Sequence, residues 1–97
     1  MRGSASKKIA GGKLVKVNVD CSYVINDIKI SGDFFMHPEE GLFEIEHALH
    51  TIHPADSIEA IENVIKETVR KHYIELVGVD SRVLAETIKE AIAKCEW

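Results

Sequence analysis

Aromatic side chains make up only 6% of these 97 residues, and the chain has two prolines and two cysteines. Each shortage excludes something. Cys21 and Cys95 lie far apart with no CxxC spacing, too few for a disulfide framework, and they suit a reducing cytoplasm. No stretch approaches the roughly eighteen apolar residues of a membrane span, and the N-terminus lacks the apolar run of a signal peptide. Basic residues are outnumbered, 12 Lys and Arg against 16 Asp and Glu. The resulting net charge of −4 argues against a nucleic-acid binder, which usually shows a basic face. Gly11-Gly12-Lys13 falls short of a phosphate loop, which needs GxxxxGK[ST] opening a helix. The expectation is a soluble, cytoplasmic protein with no membrane and no nucleic-acid partner.

The length allows one domain with a single core. Met1-Arg2-Gly3-Ser4 looks like an expression leader, and residues 1–12 read as a small, basic, aperiodic and flexible lead-in. Residues 13–97 carry the domain. Val15, Val17, Val19 and Cys21 alternate with Lys16, Asn18 and Asp20, which predicts a strand over 13–21. Ser22-Tyr23 is a turn leading to a second strand over 24–31, and the two should pair as a hairpin. Asn26-Asp27 is a competing turn, so the register stays open.

Leu42, Ile45, Leu49 and Ile52 mark the buried stripe of a helix that opens near Pro38 and stops at Pro54. Asp56, with Glu59 three residues on, starts a second helix. Its stripe is Ile58, Ile61, Val64, Ile65, Thr68 and Val69. Tyr73 to Val79 is short and β-branched and reads as the third strand. Asp80 or Ser81 then caps a last helix with Leu84, Ile88, Ala91, Ile92 and Cys95 on its apolar side. The order is ββααβα: an α+β fold in which a small three-stranded sheet, hairpin plus one strand, is covered by three helices.

The stretch from Ile28 to Phe35 concentrates the information. Ile28 and Ile30 alternate with Lys29 and Ser31, and at Gly32 the alternation breaks before two adjacent rings. Consecutive strand residues face opposite ways, so Phe34 and Phe35 cannot both enter one core from a regular strand. Either the backbone bends at Gly32, or one ring serves another surface. Asp33 is placed to accept hydrogen bonds from amides that such a bend frees.

Candidate chemistry is sparse. His47, His50 and His53 are three apart, and the first and third differ by roughly 120° around a helix, which spreads them off any single ligand face. Solvated helix histidines are the simpler reading, with His37 and His72 elsewhere. Cys21 is the one candidate sulfur acceptor, yet it falls on an apolar strand face, where free cysteine is usually core. Asp33 is the candidate general base and Asp80 with Glu75 the candidate carboxylate pair, but no serine, lysine or histidine completes a triad. No catalytic, cofactor-binding or metal residue is assigned.

Gly32-Asp33-Phe34-Phe35 after an Ile-x-Ile strand, followed by an acidic helix, resembles the accessory C-terminal domain of lipoate–protein ligases. The resemblance runs from about Lys13 to Lys94 and is greatest to ligases whose accessory domain is a separate polypeptide. It implies a small α+β fold, similar to that of iron–sulfur scaffold and sulfur-acceptor proteins. It implies a non-catalytic subunit, part of a heterodimer, that docks on a catalytic ligase and enables lipoate activation to lipoyl-AMP. ATP, Mg and lipoate would then sit on the catalytic partner, none on this chain alone, and lipoyl carrier domains would be met only indirectly. Gly32, Asp33, Phe34 and Phe35 are carried over as signature positions and candidate partner interface. A sulfur-acceptor or iron–sulfur scaffold is the alternative, and a histidine-based metal protein the third reading.

Overall fold

The computed structural model describes residues 1–95 and has an α+β fold. Its strands are β1 (Arg2–Lys8), β2 (Leu14–Cys21), β3 (Ile25–Gly32), β4 (Phe35–His37) and β5 (Glu75–Val77). Its helices are α1 (Gly41–Ala48), α2 (Ile58–Lys71) and α3 (Ser81–Ala93), with 3-10 turns at Ala10–Gly12 and Leu49–Thr51. β1, β2 and β3 form an antiparallel sheet in that order, and β4 pairs antiparallel with β5 in a separate ribbon.

The β2–β3 hairpin is the alternation made solid. Val15, Val17, Val19 and Cys21 face Ile25, Ile28 and Ile30 within one buried layer, while Lys16, Asn18 and Lys29 point away. Ile45 and Leu49, Ile61 and Ile65, and Leu84, Ile88 and Ala91 bring the three helical stripes onto that layer. Asp80 caps α3 by accepting from the Val83 amide at 2.8 Å.

Several expectations need correction. Arg2–Lys8 is an ordered strand, where a flexible lead-in was expected. Its residues are too polar for an apolar signal, but they pair with β2 from Arg2↔Asp20 to Lys8↔Leu14 and bury Ala5. Lys7 also reaches across to α3, 3.0 Å from Glu90 and 3.7 Å from Glu86. The hydrogen bond to Glu90, with the two negative charges, raises the Lys7 pKa.

The strand expected over Tyr73–Val79 does not join the hairpin. β1 takes one side of β2, and the open edge of β3 is closed by the chain around α1. There Glu46 accepts from the Ile30 amide at 2.8 Å, and Nδ1 of His50 donates to the Ile25 carbonyl at 3.1 Å. With its edge taken, β3 offers no room, and Glu75–Val77 pairs with Phe35–His37 instead. His50 is therefore a strand-edge ligand and not simply a solvated helix residue.

Helix starts also shift. The Pro38–Glu40 segment is a turn, closed by the Gly41 amide on the Pro38 carbonyl, so α1 opens later than proline at a first helical turn suggested. Ser57, not Asp56, caps α2, its Oγ accepting from the Ala60 amide at 3.1 Å. Asp56 is occupied one turn earlier, accepting from the His53 amide at 2.9 Å.

Cys21 and Cys95 are both buried, as expected of core residues, but they are joined in a disulfide with Cα atoms 6.6 Å apart. Counting cysteines cannot reveal this pairing. It depends on the end of β2 meeting the end of α3, 74 residues away in sequence.

Candidate partner-docking site

The end of β3 is built on two constraints. Gly32 has φ +149°, and a Cβ there would run into the backbone of Leu14 and Val15 on β2, so only glycine fits. Asp33 then extends the ladder by one step. Its amide donates to the Leu14 carbonyl at 2.8 Å, and its carboxylate accepts from the Leu14 amide at 3.1 Å. The carboxylate thus serves the neighbouring strand and not amides freed by the bend itself.

Beyond this clamp the two rings part. Phe34 is half-buried and packs on the core, beside Gly78. Phe35 starts β4 and is 71% exposed. Its cross-strand partner is Val77, 45% exposed, so the outward side of the ribbon carries an apolar pair. The next outward pair is His37 opposite Glu75, both exposed. Met36 and Leu76 make the inward pair, Met36 buried and Leu76 packed against the core. A cleft of about 400 Å³ runs from Phe34, Phe35, Met36 and His37 to Glu39 and Leu42 at the start of α1.

The far side of α1 leads to the end of α2. Gly41 packs against the Ile74 side chain, a distance only a residue without Cβ allows, and Glu44 lies 3.4 Å from His72. α2 ends in a Schellman arrangement: the Ile74 amide bonds the Val69 carbonyl at 2.9 Å and the Tyr73 amide the Arg70 carbonyl at 3.5 Å. Tyr73 occupies the left-handed position usually held by glycine, at φ +53°. That conformation costs a non-glycine residue roughly 1–2 kcal/mol.

Other candidate groups are committed to structure. Asp80 caps α3 and so does not pair with Glu75. Cys21 is buried in its disulfide and presents no thiol. The His47 and His50 rings lie 6.4 Å apart, and among the described residues no three His, Cys, Asp or Glu side chains converge. The densest charge network lies elsewhere, on α2 and α3. Arg82 contacts Glu62 at 3.2 Å, Glu86 at 3.5 Å and Glu59 at 3.6 Å, and Lys66 contacts Glu62 at 3.2 Å. The hydrogen bonds from Lys66 and Arg82 lower the Glu62 pKa.

The sequence picked out Gly32, Asp33, Phe34 and Phe35; the structure adds Val77, paired with Phe35, and leaves Phe43 on α1 and Tyr73 after α2 exposed as well. Phe43 was detectable, since it falls off the Leu42–Ile45–Leu49–Ile52 stripe. Val77 was not, because a strand of three residues shows no alternation.

No family model matches this chain, and no curated protein matches it. A solved structure does: a chain from an archaeal lipoylation system of Thermoplasma acidophilum, described as a bipartite lipoate protein ligase and its E2 lipoyl domain. The two chains share 31% identity and superimpose with a TM-score of 0.65. The match covers 95% of this chain and 94% of that one. With that identity over nearly the whole of both chains, this chain belongs to the same family as that component of the archaeal lipoylation system.

Proposed function

We propose that this chain is the non-catalytic accessory subunit of a two-part lipoate–protein ligase, one half of a heterodimer. It docks on the catalytic subunit and enables ATP-dependent activation of lipoate to lipoyl-AMP. ATP, Mg and lipoate sit on that partner, and the lipoyl carrier domain receives the acyl group from it. The observation that carries this role is the exposed Phe35–Val77 pair, on a ribbon fixed to the core through Gly32, Asp33 and Phe34. An apolar pair held outward on a rigid mount suits protein contact better than chemistry. The match to a component of a bipartite ligase system supports the same role.

Docking can promote activation only if the chain binds one state of the partner better than another, shifting the partner toward its adenylation-competent arrangement. Transfer from ready-made lipoyl-AMP bypasses that step. The test measures pyrophosphate release and carrier lipoylation by the catalytic subunit alone, with this chain added, and with lipoyl-AMP supplied. Activation should require this chain, and transfer from lipoyl-AMP should need it far less. Full ATP-dependent lipoylation by the catalytic subunit alone defeats the proposal.

A further inference from the structure

Tyr73 combines two features that the fold does not explain. Its backbone is held in the left-handed region, and its ring is 90% exposed, so no burial within this chain offsets the strain. Glycine would make the same turn without strain.

Phe43 is a second such ring, 70% exposed, on the adjoining helix. At about 100° per residue, Gly41 and Ile45 set the buried side of α1, and Phe43 falls nearly opposite. Its neighbours fix where that is. Leu42 lines the cleft shared with Phe35, and Glu44 meets His72, the residue before Tyr73. Phe35 with Val77, Phe43 and Tyr73 thus lie on neighbouring elements, the β4–β5 ribbon, α1 and the end of α2, which the Leu42 cleft and the Glu44–His72 contact join.

Around the ribbon and the start of α1 the border is acidic. Glu39, Glu40 and Glu75 have no ion-pair partner among the described residues, and Glu44 has only His72. Cations lie at the other end of the surface: Lys13 is beside Gly78, Arg70 is paired with Glu67, and Lys71, two residues before Tyr73, is exposed with no ion-pair partner among the described residues. An apolar centre with a carboxylate border complements an apolar surface bordered by Lys and Arg.

We infer that Tyr73 and Phe43 join Phe35 and Val77 as anchors of one docking surface, which fits an apolar, basic-bordered face of the catalytic ligase subunit. This rests on the accessory role proposed above. It adds the residues that hold the partner and the charge that the partner presents.

The experiment is calorimetric titration of this chain into the catalytic ligase chain of the same organism, paired with thermal melts. Tyr73→Gly should raise the melting temperature while weakening binding at least about tenfold, opposite directions that a purely structural ring would not give. Phe43→Ala should leave the melt unchanged and weaken binding by a similar factor. Tyr23→Ala, at an 87% exposed ring on the β2–β3 turn, should change neither. Raising salt from about 50 to about 300 mM should weaken the wild-type complex, as screening of complementary charge requires. Wild-type affinity in Tyr73→Gly or Phe43→Ala overturns the proposal and leaves the accessory role standing. The same holds for a lowered melt in Tyr73→Gly, an equal loss in Tyr23→Ala, or a complex indifferent to salt. Absence of any complex with the wild-type chain overturns both.

Discussion

Asp33 holds Leu14 twice, donating its amide to the Leu14 carbonyl and accepting the Leu14 amide on its carboxylate. This clamp closes the β2–β3 hairpin at the point where the chain leaves for the ribbon. Asp33→Ala should therefore cost about 1 kcal/mol, the usual worth of one hydrogen bond. Asp33→Asn should cost less, since its amide oxygen still accepts. Gly32→Ala should cost more than either, because about 1–3 kcal/mol of backbone strain is joined by collision with β2. Urea denaturation of the three variants gives the ranking directly, and a tolerated Gly32→Ala would contradict it.

Where periodicity is long, the fold was readable. The hairpin and the stripes of α2 and α3 repeat often enough to be recognised from residue type alone. β1 was invisible because Arg2, Ser4, Ser6 and Lys8 carry no apolar signal, and Ala5 alone is buried. Its order comes from β2, Glu86 and Glu90, which are distant in sequence. β4 and β5 are three residues each, too short to alternate visibly. In the site, opposite facing of Phe34 and Phe35 follows from strand geometry. Which ring turns outward depends on pairing with β5, and Tyr73's strain on where α2 ends.

The Cys21–Cys95 disulfide should contribute substantially to stability. It closes a loop across 74 residues, and disulfides of this kind typically contribute about 2–4 kcal/mol. Reduction, or Cys95→Ser, should lower the urea midpoint accordingly, and titration with a thiol reagent should find two thiols only after reduction. If reduced and untreated protein melt alike, the cross-link is not a determinant of stability.

Glu62 predicts an acid dependence whose sign is fixed. Lys66, and then Arg82, hold its pKa below the ordinary value of 4.5. A depressed carboxylate contributes stability that is fully present above its unfolded pKa and is lost as pH falls through the lower folded value. Glu62→Gln should therefore be less stable than wild type by a constant margin above pH 4.5, and the margin should close at more acidic pH. Urea midpoints of the two proteins across this range test it. A margin that widens with acid would show that the contribution lies elsewhere.

The adjacent rings separate stability from binding. Phe34 packs on the core, so Phe34→Ala should cost about 2–4 kcal/mol, somewhat below the figure for a fully buried ring. Phe35 is mostly exposed, and Phe35→Ala should change stability by less than about 0.5 kcal/mol. Its effect should appear in the complex instead. If Phe35 faces the ligase partner, truncation should weaken association and reduce lipoyl-AMP formation at limiting chain concentration, while saturating chain restores the rate. Melting curves with binding isotherms for both variants decide the matter. Equal stability losses, with normal binding by the folded fraction of each, would place both rings in the core and remove Phe35 from the interface.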